Sequence, residues 1–433
     1  MRRYLFFVIL ALVQACAARA PRARVVLISV DGLWARDLQR AESAGVRLPT
    51  LDSLRRSGEL AAGVIGSFPS VTYPSHTTMI TGVPPARHGV YANGIFSDPS
   101  ERRAFNPSYW ERSEIRVPTI FDAAARAGLS VAAVFWPVTA HDPSIRYNIP
   151  DAWDPRPGAP SQLAALRYLG TPWLLDSIGA PAAGEPNDSM RAAWTAAIIR
   201  RWNPDFIALH LIDLDHFKHE YGIWSDSARG ALRARDRDIS VVLAAVAATE
   251  AGRQTTVIVT SDHGFLDYSH RLRPGVLLSR AGLVTVDTAA TPPVRAWQAG
   301  VQVNGGSVMI LPRDSTDPAL AARIRAAIPD TLVGPGKPIR AVLPRDTIAV
   351  LGGDPRALWA LDLNEGFYAI SGYAGALLSA SRGGGHGYDQ RRQELHAFFL
   401  MTGPGVPRGR PRPLMRQTEI AGIVARILGL SGF

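Results

Sequence analysis

The chain has 433 residues, 47% of them hydrophobic, and carries a formal net charge of +10. This length and apolar content suffice for a large buried core, so we expect one large α/β domain, or such a core with an inserted subdomain. The positive charge comes from arginines scattered singly or in pairs, without any block of five basic residues, so the composition does not indicate nucleic-acid binding.

Residues 1–20 have the pattern of a secretory signal peptide: a positively charged start, an apolar run over residues 4–13, and a series of small residues. Cys16, the single cysteine, ends the sequence VQAC, which resembles a bacterial lipoprotein cleavage box in which the cysteine becomes lipid-modified. The alternative is ordinary cleavage after Ala17 or Ala20. Either interpretation places the mature chain outside the cytoplasm, in the periplasm, secreted, or anchored to the membrane by a lipid on Cys16. No later apolar run is long enough to span a membrane.

Downstream of this segment, apolar runs typical of buried strands alternate with segments of helical pattern. The predicted strands cover residues 25–30, 131–135, 206–212 and 256–260, and the predicted helices cover residues 50–57, 75–81, 118–127, 189–202 and 227–249. Thr50 is the predicted N-cap of the first helix, and Gly82 is predicted to end the second. Strands that alternate with helices imply right-handed crossovers and a mostly parallel sheet flanked by helices. Ligands of such folds bind on the loops that follow the carboxyl ends of the strands.

Two segments interrupt this alternation within a catalytic domain that we predict to extend over residues 21–433. Residues 137–187 are rich in Pro, Asp and Trp and are predicted to form an irregular insertion. Residues 270–380 have a βαβ-like pattern of their own, and we interpret them as an inserted capping subdomain. The elements predicted in this subdomain are strands over residues 307–311 and 357–363 and a helix over residues 319–328.

Six carboxylate or imidazole side chains follow predicted strands or stand in turns and glycine-rich loops. They are Asp31, Asp215, His219, Asp262, His263 and His386. Zinc in proteins is held by such oxygen and nitrogen ligands. Three carboxylates and three imidazoles could form two zinc sites of three ligands each that share one nucleophile, so the ordered set predicts two Zn²⁺ ions per chain.

The candidate for that nucleophile is Thr72, in a Pro-flanked turn close to the start of a predicted helix. The free N–H groups and the positive dipole at the amino-terminus of a helix attract phosphate oxygens. A hydroxyl group is a poor nucleophile at its usual pKa, and coordination to zinc would make its alkoxide form accessible. The alternative is that Thr72 is only an N-cap.

Other members of the set also have alternative interpretations. Asp213 and His216 compete with Asp215 and His219, which are four residues apart and could point the same way on a turn. His386, among glycines, could be an ordinary histidine of a surface loop. Three further histidines are predicted to orient backbone or to fill the core, namely His76, His88 and His210.

Asn93, Tyr73 and Trp153 are candidate substrate contacts. The amide of Asn93 could donate a hydrogen bond to a phosphoryl oxygen. The alternative is a type I′ turn at Asn93-Gly94, a sequence strongly associated with that turn. Tyr73 and Trp153 could enclose an aromatic leaving group, and a packing role is equally consistent with each.

In order and spacing, these motifs resemble the nucleotide pyrophosphatase/phosphodiesterase family of the alkaline phosphatase superfamily. The resemblance extends from residue 25 to about residue 406 and is carried by VDGL, TYPSH with RHGVYAN, DHFKHEYG, SDHGF and GHGYD. The sequence MTGPGV also resembles the strand that closes the sheet of this family. The resemblance implies an alkaline-phosphatase-like core, a threonine nucleophile, two zinc ions and an asparagine that contacts the oxyanion.

Carried over to this chain, the resemblance assigns three protein ligands to each zinc ion. One set is Asp215, His219 and His386, and the other is Asp31, Asp262 and His263. Thr72 would lie between the two ions. Asn93 matches the asparagine of the family, and Tyr73 matches the aromatic residue that stacks on the leaving group or base.

The implied function is zinc-dependent hydrolysis of phosphate diesters or pyrophosphates, including nucleotides, through a phospho-threonine intermediate. Three departures from the family pattern leave the substrate open: Ser75 stands where many relatives have Asn, DHFKH replaces the commoner DxxGH, and Gln390 follows GHGYD where Asn is usual.

Two alternatives to this function remain. A phosphomonoesterase would use the same metal core but would need a cationic partner for the extra phosphate charge, and no dedicated Lys or Arg is identified near Thr72. A catalytically silent binding protein could use the same scaffold. A sulfatase is disfavoured because its CxPxR-like motif is absent.

Overall fold

The computed structural model describes residues 22–101, 107–152, 161–431 and 433. The predicted signal peptide with Cys16, and Trp153, lie outside these residues. The helices are α1 (Asp37–Ser43), α2 (Pro49–Ser57), α3 (Thr72–Thr81), α4 (Pro85–His88), α5 (Ile120–Arg126), α6 (Gln162–Leu169), α7 (Leu174–Ser177), α8 (Asp188–Trp202), α9 (Asp213–Tyr221), α10 (Asp226–Ala247), α11 (Gly275–Arg280), α12 (Leu320–Ala326), α13 (Arg345–Leu351) and α14 (Glu419–Leu428). The strands are β1 (Arg24–Val30), β2 (Glu59–Ala61), β3 (Val64–Ile65), β4 (Val131–Pro137), β5 (Tyr147–Asp151), β6 (Phe206–Leu211), β7 (Thr255–Thr260), β8 (Leu266–Leu272), β9 (Val284–Val286), β10 (Val294–Trp297), β11 (Ala299–Asn304), β12 (Ser307–Pro312), β13 (Ile339–Pro344), β14 (Trp359–Leu363), β15 (Gly366–Ala369), β16 (Leu378–Gly385), β17 (Phe399–Thr402), β18 (Arg410–Arg412) and β19 (Met415–Arg416).

An eight-stranded sheet, in the order β18-β2-β17-β7-β1-β6-β4-β5, lies at the centre of the fold. The strands from β7 to β5 are parallel to one another, whereas β17 pairs antiparallel with β7 and with β2. Parallel neighbours need a crossover that returns the chain to the starting edge, so the loops after these strands share one edge of the sheet. The predicted α/β fold with a mostly parallel sheet is confirmed.

Both faces of this sheet are covered by helices, as the side chains of β1 show. Val26, Ile28 and Val30 pack in a core cluster that also contains apolar residues of α2, α8 and α10. Val25 and Leu27, on the opposite face, pack with residues of α3, α5 and α14. Strands of parallel sheets are buried on both faces, which is why the sequence of β1 is continuously apolar.

The first turns of two helices differ from the prediction. Helix α2 begins at Pro49, a residue favoured at the first helical position because its φ is already helical and it lacks a free N–H. Thr50 is therefore inside the helix and is not the N-cap; its N–H donates to Asp236 Oδ2 at 3.1 Å. Helix α3 begins at Thr72, before the predicted start at Ser75. The hydroxyl of the candidate nucleophile therefore stands at a helix amino-terminus.

The segment 137–187, predicted to be irregular, contains β5, α6 and α7. Strand β5 pairs parallel with β4 at the edge of the main sheet. Its sequence, YNIPD, hides this role because it includes Pro150. Proline is tolerated in edge strands, where one side of the backbone needs no partner.

The segment 270–380 contains a four-stranded sheet in the order β11-β12-β14-β13. All its pairings are antiparallel, so the predicted βαβ-like arrangement is wrong. The prediction missed β13, and one additional strand reverses the direction in which the chain enters β14. The extents of the catalytic domain, the insertion and the cap stay predictions. Among the described residues, no helix is long and apolar enough to cross a membrane.

Candidate metal centre

The predicted ligands gather at the carboxyl edge of the parallel strands. Asp31 directly follows β1, Asp262 follows β7, and Asp215 lies on α9, the helix that begins after β6. Because β7, β1 and β6 are neighbours in the sheet, their carboxyl ends bring the three carboxylates together. The structure therefore joins residues that are up to 231 positions apart in the sequence.

Asp31, Asp262 and His263 form one group in which the candidate ligand atoms lie within 4.8 Å of one another. His263 Nε2 is 3.1 Å from Asp262 Oδ2 and 3.5 Å from Asp31 Oδ1. All three side chains are buried. Two carboxylates and one imidazole in such a cluster could hold one metal ion.

Asp215, His263 and His386 form a second group under the same 4.8 Å criterion. His263 thus belongs to both groups, and its ring stacks on that of His386 with 3.7 Å between the centroids. Asp215 also lies between two other imidazoles: its Oδ1 is 3.6 Å from His386 Nε2, and its Oδ2 is 3.5 Å from His219 Nε2. The helix α9, and not a turn, places His219 one turn after Asp215.

The competing residues of α9 point elsewhere. Asp213 pairs with Arg191 and Arg235, at 3.4 and 3.1 Å. The side chain of His216 is 70% exposed and lies 3.3 Å from Glu220. The geometry therefore favours Asp215 and His219 as the ligand pair.

The polar atoms of this cluster fit metal coordination better than internal hydrogen bonding. Five buried atoms of this cluster have no hydrogen-bond partner among the described residues: Asp31 Oδ1, Asp215 Oδ1, Asp262 Oδ2, and Nδ1 and Nε2 of His263. Buried polar atoms without partners cost free energy unless something coordinates them. A cation at the cluster would satisfy these atoms, and oxygen plus imidazole donors suit zinc.

The other ring nitrogens are oriented by backbone carbonyls. His386 Nδ1 donates to the carbonyl of Ser70 at 3.1 Å, and His219 Nδ1 donates to the carbonyl of Gly384 at 2.8 Å. Each bond fixes the tautomer in which Nε2 carries the free lone pair. Both imidazoles therefore present Nε2 to the side of Asp215.

The electrostatics agree with this interpretation. Burial raises the pKa of Asp31 well above its usual range, and the carboxylates of Asp262 and Asp215 raise it further. Burial lowers the pKa of His386 well below its usual range, and the neighbouring His263 and His219 act in the same direction. Three converging carboxylates repel one another, and a divalent cation would relieve that repulsion.

Asn93 stands beside the amino-terminus of α3. Its Oδ1 accepts a hydrogen bond from the N–H of Tyr73 at 2.9 Å. This bond leaves the NH₂ group of Asn93 as the donor next to Thr72. The alternative type I′ turn is not formed, because neither Asn93 nor Gly94 has a positive φ.

His76 and His88 orient backbone, as the sequence predicts. His76 Nδ1 donates to the carbonyl of Thr72 at 2.8 Å, and its Nε2 accepts from the hydroxyl of Ser29 at 2.9 Å. His88 Nδ1 accepts from the N–H of Val90 at 3.2 Å. The two contacts of His76 together link the backbone of Thr72 to Ser29 of β1.

His210 has a role that the sequence did not reveal. It was predicted to be a core histidine, and it is fully buried, but its Nε2 lies 3.1 Å from Asp31 Oδ2. Its Nδ1 lies 3.2 Å from the carbonyl of Phe135. In the sequence, the hint of this role was a polar residue within the apolar run of β6. In the structure, His210 pairs in register with Ser29 of β1. His210 therefore fixes the orientation of a candidate metal ligand.

Lys218 accounts for one departure from the family pattern. It occupies the position of the glycine in the commoner DxxGH, and it is buried. Its Nζ is 2.6 Å from Asp37 Oδ2 and 2.9 Å from the carbonyl of Gly32. A buried amine needs such partners. This cation is therefore engaged and is not a free phosphate ligand.

The two predicted aromatic contacts have different outcomes. Tyr73 is 8% exposed and packs in a core cluster. Burial raises the pKa of Tyr73 well above its usual range, and the charge of Asp151 adds to the shift. Asp151, at the end of β5, was not identified from the sequence. The stacking role of Tyr73 stays a prediction, and Trp153 lies outside the described residues.

Glycines of β16 allow α9 to approach the site. A Cβ on Gly383 would lie 2.6 Å from the carbonyl oxygen of His219, and one on Gly384 would lie 2.5 Å from that of Lys218. Real Cβ atoms do not come this close to backbone oxygens, so a side chain would push the helix away. The run of glycines before His386 thus lies in β16, and not in the predicted loop, and it allows close packing of α9.

Gly384→Ala should weaken metal binding because it displaces α9, which carries Asp215 and His219. We expect zinc affinity to fall by about ten- to a hundredfold, as for other groups that orient metal ligands. Titration with zinc and a competing chelator measures the effect. Gly230→Ala on α10 is the matched control, since a Cβ there meets nothing within 4 Å. Equal zinc affinities of the two variants would contradict the packing argument.

Comparison with known families gives a match over most of the chain. A family model described as type I phosphodiesterase / nucleotide pyrophosphatase matches residues 25–389. Venom phosphodiesterase 2 of Crotalus adamanteus is 24% identical over 268 residues, which cover 59% of this chain and 28% of that protein. The bis(5'-adenosyl)-triphosphatase enpp4 of Mus musculus is 23% identical over 422 residues, which cover 94% of this chain and 78% of that protein. The chain thus spans about a quarter of the length of its venom relative.

A solved structure has the same fold. Murine ectonucleotide pyrophosphatase / phosphodiesterase 5 matches with a TM-score of 0.67 and 19% identity, over 95% of this chain and 96% of that chain. An inactive threonine-to-alanine form of that protein has been solved in complex with AMP. At this identity, the likeness concerns the fold alone.

Proposed function

Because the chain belongs to the type I phosphodiesterase / nucleotide pyrophosphatase family, we propose that it is a zinc-dependent hydrolase of phosphate diesters or pyrophosphates. One observation carries this proposal: two groups of Asp and His side chains meet at the carboxyl edge of the sheet, and several of their buried polar atoms have no hydrogen-bond partner. The names of the relatives, which include phosphodiesterases and a bis(5'-adenosyl)-triphosphatase, support a small-molecule nucleotide or diester as the substrate.

Two zinc ions would be held by the ligands already assigned. One set is Asp215, His219 and His386, in which His219 Nε2 lies 3.5 Å from Asp215 Oδ2 but is not in the group formed by Asp215, His263 and His386. The other set is Asp31, Asp262 and His263. Zinc at these positions would neutralise phosphate charge and lower the pKa of a nearby hydroxyl. The clustered carboxylates and the neutral, buried His386 support this assignment.

The reaction then proceeds on Thr72. Its Oγ1 attacks phosphorus, the bond from phosphorus to the leaving oxygen breaks, and the hydroxyl proton is transferred to that leaving oxygen, directly or through water. Water next attacks the phospho-threonine, which frees the phosphate monoester and restores the hydroxyl. The N–H of Thr72 and the NH₂ group of Asn93 would donate to the non-bridging oxygens. The next N–H groups of α3 are already used, since that of Tyr73 donates to Asn93 Oδ1 and that of Ser75 to the carbonyl of Val71, and Pro74 has none.

A phosphomonoesterase is the second candidate, and the charges around the site disfavour it. A monoester dianion carries one more negative charge than a diester. Lys218 and Arg191 are buried cations of this region, but they are paired with Asp37 and Asp188. A site without a free cationic partner among its described residues offers little extra stabilisation for the dianion.

We therefore predict that kcat/KM is higher for an aryl nucleotide diester than for the matching aryl monoester. A second substituent also offers binding energy that can lower the barrier. Steady-state kinetics with nitrophenyl esters, including a choline phosphodiester to separate nucleotide from head-group preference, measure this. A monoester preference of about tenfold, or about 1.4 kcal/mol in the barrier, would indicate the phosphatase instead.

The protein would act outside the cytoplasm, in the periplasm, secreted, or attached by a lipid at Cys16. The pattern of residues 1–20 supports this location. A catalytically silent role is disfavoured because the ligands, the threonine and the asparagine are all present.

A further inference from the structure

The amino edge of the main sheet lies opposite the candidate metal centre. Strand β1 has seven residues, so the two edges are about 20 Å apart. The chain enters β1 at this amino edge, where the N–H of Val25 donates to the carbonyl of Asp205 at 3.0 Å. Cys16 stands only a few residues before the first described residue, Arg22. A lipid on Cys16 would therefore hold this edge close to a membrane.

A cluster of aromatic rings lies on the same edge. Trp202, at the end of α8, stacks on Tyr147 at the start of β5, with 4.9 Å between the centroids. Trp173 packs against both rings, at 5.5 and 6.1 Å, and is 47% exposed. Arg201 lies over Trp202 at 5.1 Å, and Arg146 lies over Tyr147 at 5.6 Å. We name these five residues the aromatic–arginine cluster.

Exposed arginines extend this basic character along the edge. These arginines stand in the helices or loops that precede β4, β5, β6 and β7. They are Arg126, Arg146, Arg200, Arg201 and Arg253. Basic residues often favour the carboxyl ends of helices, where the dipole is negative. Arg146 and Arg253 lie outside the α-helices, so that effect does not account for all of them. Of the nearby acids, Asp205 is buried against Arg24, Asp176 is exposed and paired with Arg167 at 2.8 Å, and Glu250 is exposed.

We propose that the amino edge, centred on the aromatic–arginine cluster, docks on the surface of an anionic phospholipid bilayer. Tryptophan and tyrosine favour the membrane–water interface, and arginine is attracted to anionic head groups. One lipid chain binds a membrane only marginally, and a basic surface is the kind of second signal that stabilises attachment. The position of Cys16 and the exposed Trp173 favour a bilayer over a nucleic acid. In this orientation the metal centre faces away from the membrane and stays open to soluble substrates.

Sedimentation with lipid vesicles tests this surface without any contribution from a lipid anchor. The mature chain of residues 21–433, which lacks both Cys16 and the apolar run of residues 4–13, should bind vesicles that contain phosphatidylglycerol, and it should bind pure phosphatidylcholine vesicles at least about tenfold more weakly. Adding Arg200→Glu and Arg201→Glu should weaken binding to the anionic vesicles by about tenfold or more. Trp173→Ala should weaken it several-fold, and high salt should weaken it for all forms.

The matched control replaces two exposed arginines of the cap, Arg280→Glu and Arg295→Glu, and should leave vesicle binding unchanged. All variants should keep the turnover of a soluble substrate, which shows that they are folded. Equal binding to both vesicle types, or an equal loss in the control, would overturn the proposal. A DNA duplex that binds as tightly as the anionic vesicles, with the same loss on Arg200→Glu and Arg201→Glu, would also overturn it.

Discussion

Thr72→Ala should lower the turnover of an aryl phosphate diester by several orders of magnitude while the protein keeps its fold and its bound zinc. The threonine begins α3, and two residues before it the carbonyl of Ser70 accepts a hydrogen bond from His386 of the metal cluster. Among the described residues, the hydroxyl of Thr72 makes no hydrogen bond whose loss would weaken the fold. The effect is large because removal of a nucleophile removes the whole covalent pathway. Steady-state kinetics with metal analysis of the purified variant measure it.

Thr81→Ala is the matched control for this substitution. Thr81 lies on the last turn of the same helix, is buried, and donates to the carbonyl of Thr77 at 2.7 Å. Its loss should cost stability of about 1 kcal/mol but little activity. If Thr72→Ala kept most of the wild-type turnover, water would be the nucleophile and the phospho-threonine pathway would be excluded.

His263→Ala should lose zinc and activity together, because His263 is the one residue that belongs to both candidate metal groups of the described chain. We expect metal content to fall from about two zinc ions per chain to less than one. The variant should also melt at a lower temperature, since metal that binds only the folded state stabilises it. Metal analysis and thermal unfolding, with and without added zinc, measure both effects.

His216→Ala provides the control on α9, because its side chain is exposed and points to Glu220. It should keep both zinc ions, whereas His219→Ala should not. A wild-type protein with less than one bound metal per chain, and no gain on addition of zinc, would contradict the two-zinc proposal directly. A His263→Ala variant with unchanged zinc content would move the metal sites away from this cluster.

The features that depend on local sequence pattern could be predicted from the sequence alone. The continuous apolar run of β1 predicted a strand buried on both faces, and the alternation of strands and helices predicted the parallel sheet. Asp31 could be selected because it directly follows such a run, and Asp262 because it stands two residues after one. Periodicity and the order of motifs are properties of neighbouring residues, so they can be read without knowledge of the fold.

Where local signals were weak or absent, the structure corrected the prediction. Pro150 concealed the edge strand β5, and the missed strand β13 turned a βαβ-like pattern into an antiparallel sheet. Asp215 and His219 were predicted to lie on a turn, whereas they lie on one side of helix α9. Each of these errors concerns an element whose preference is decided by its neighbours in space.

Only the tertiary structure could show how distant residues act on one another. His210 lies beside Asp31, 179 positions away, because β6 and β1 pair in register. Lys218 replaces a small residue of the family pattern and is accommodated because Asp37 lies within 2.6 Å. Gly384 is needed because the backbone of α9 passes over β16. Burial, charge pairing and close approach depend on which surfaces meet, and those contacts exist only after the chain has folded.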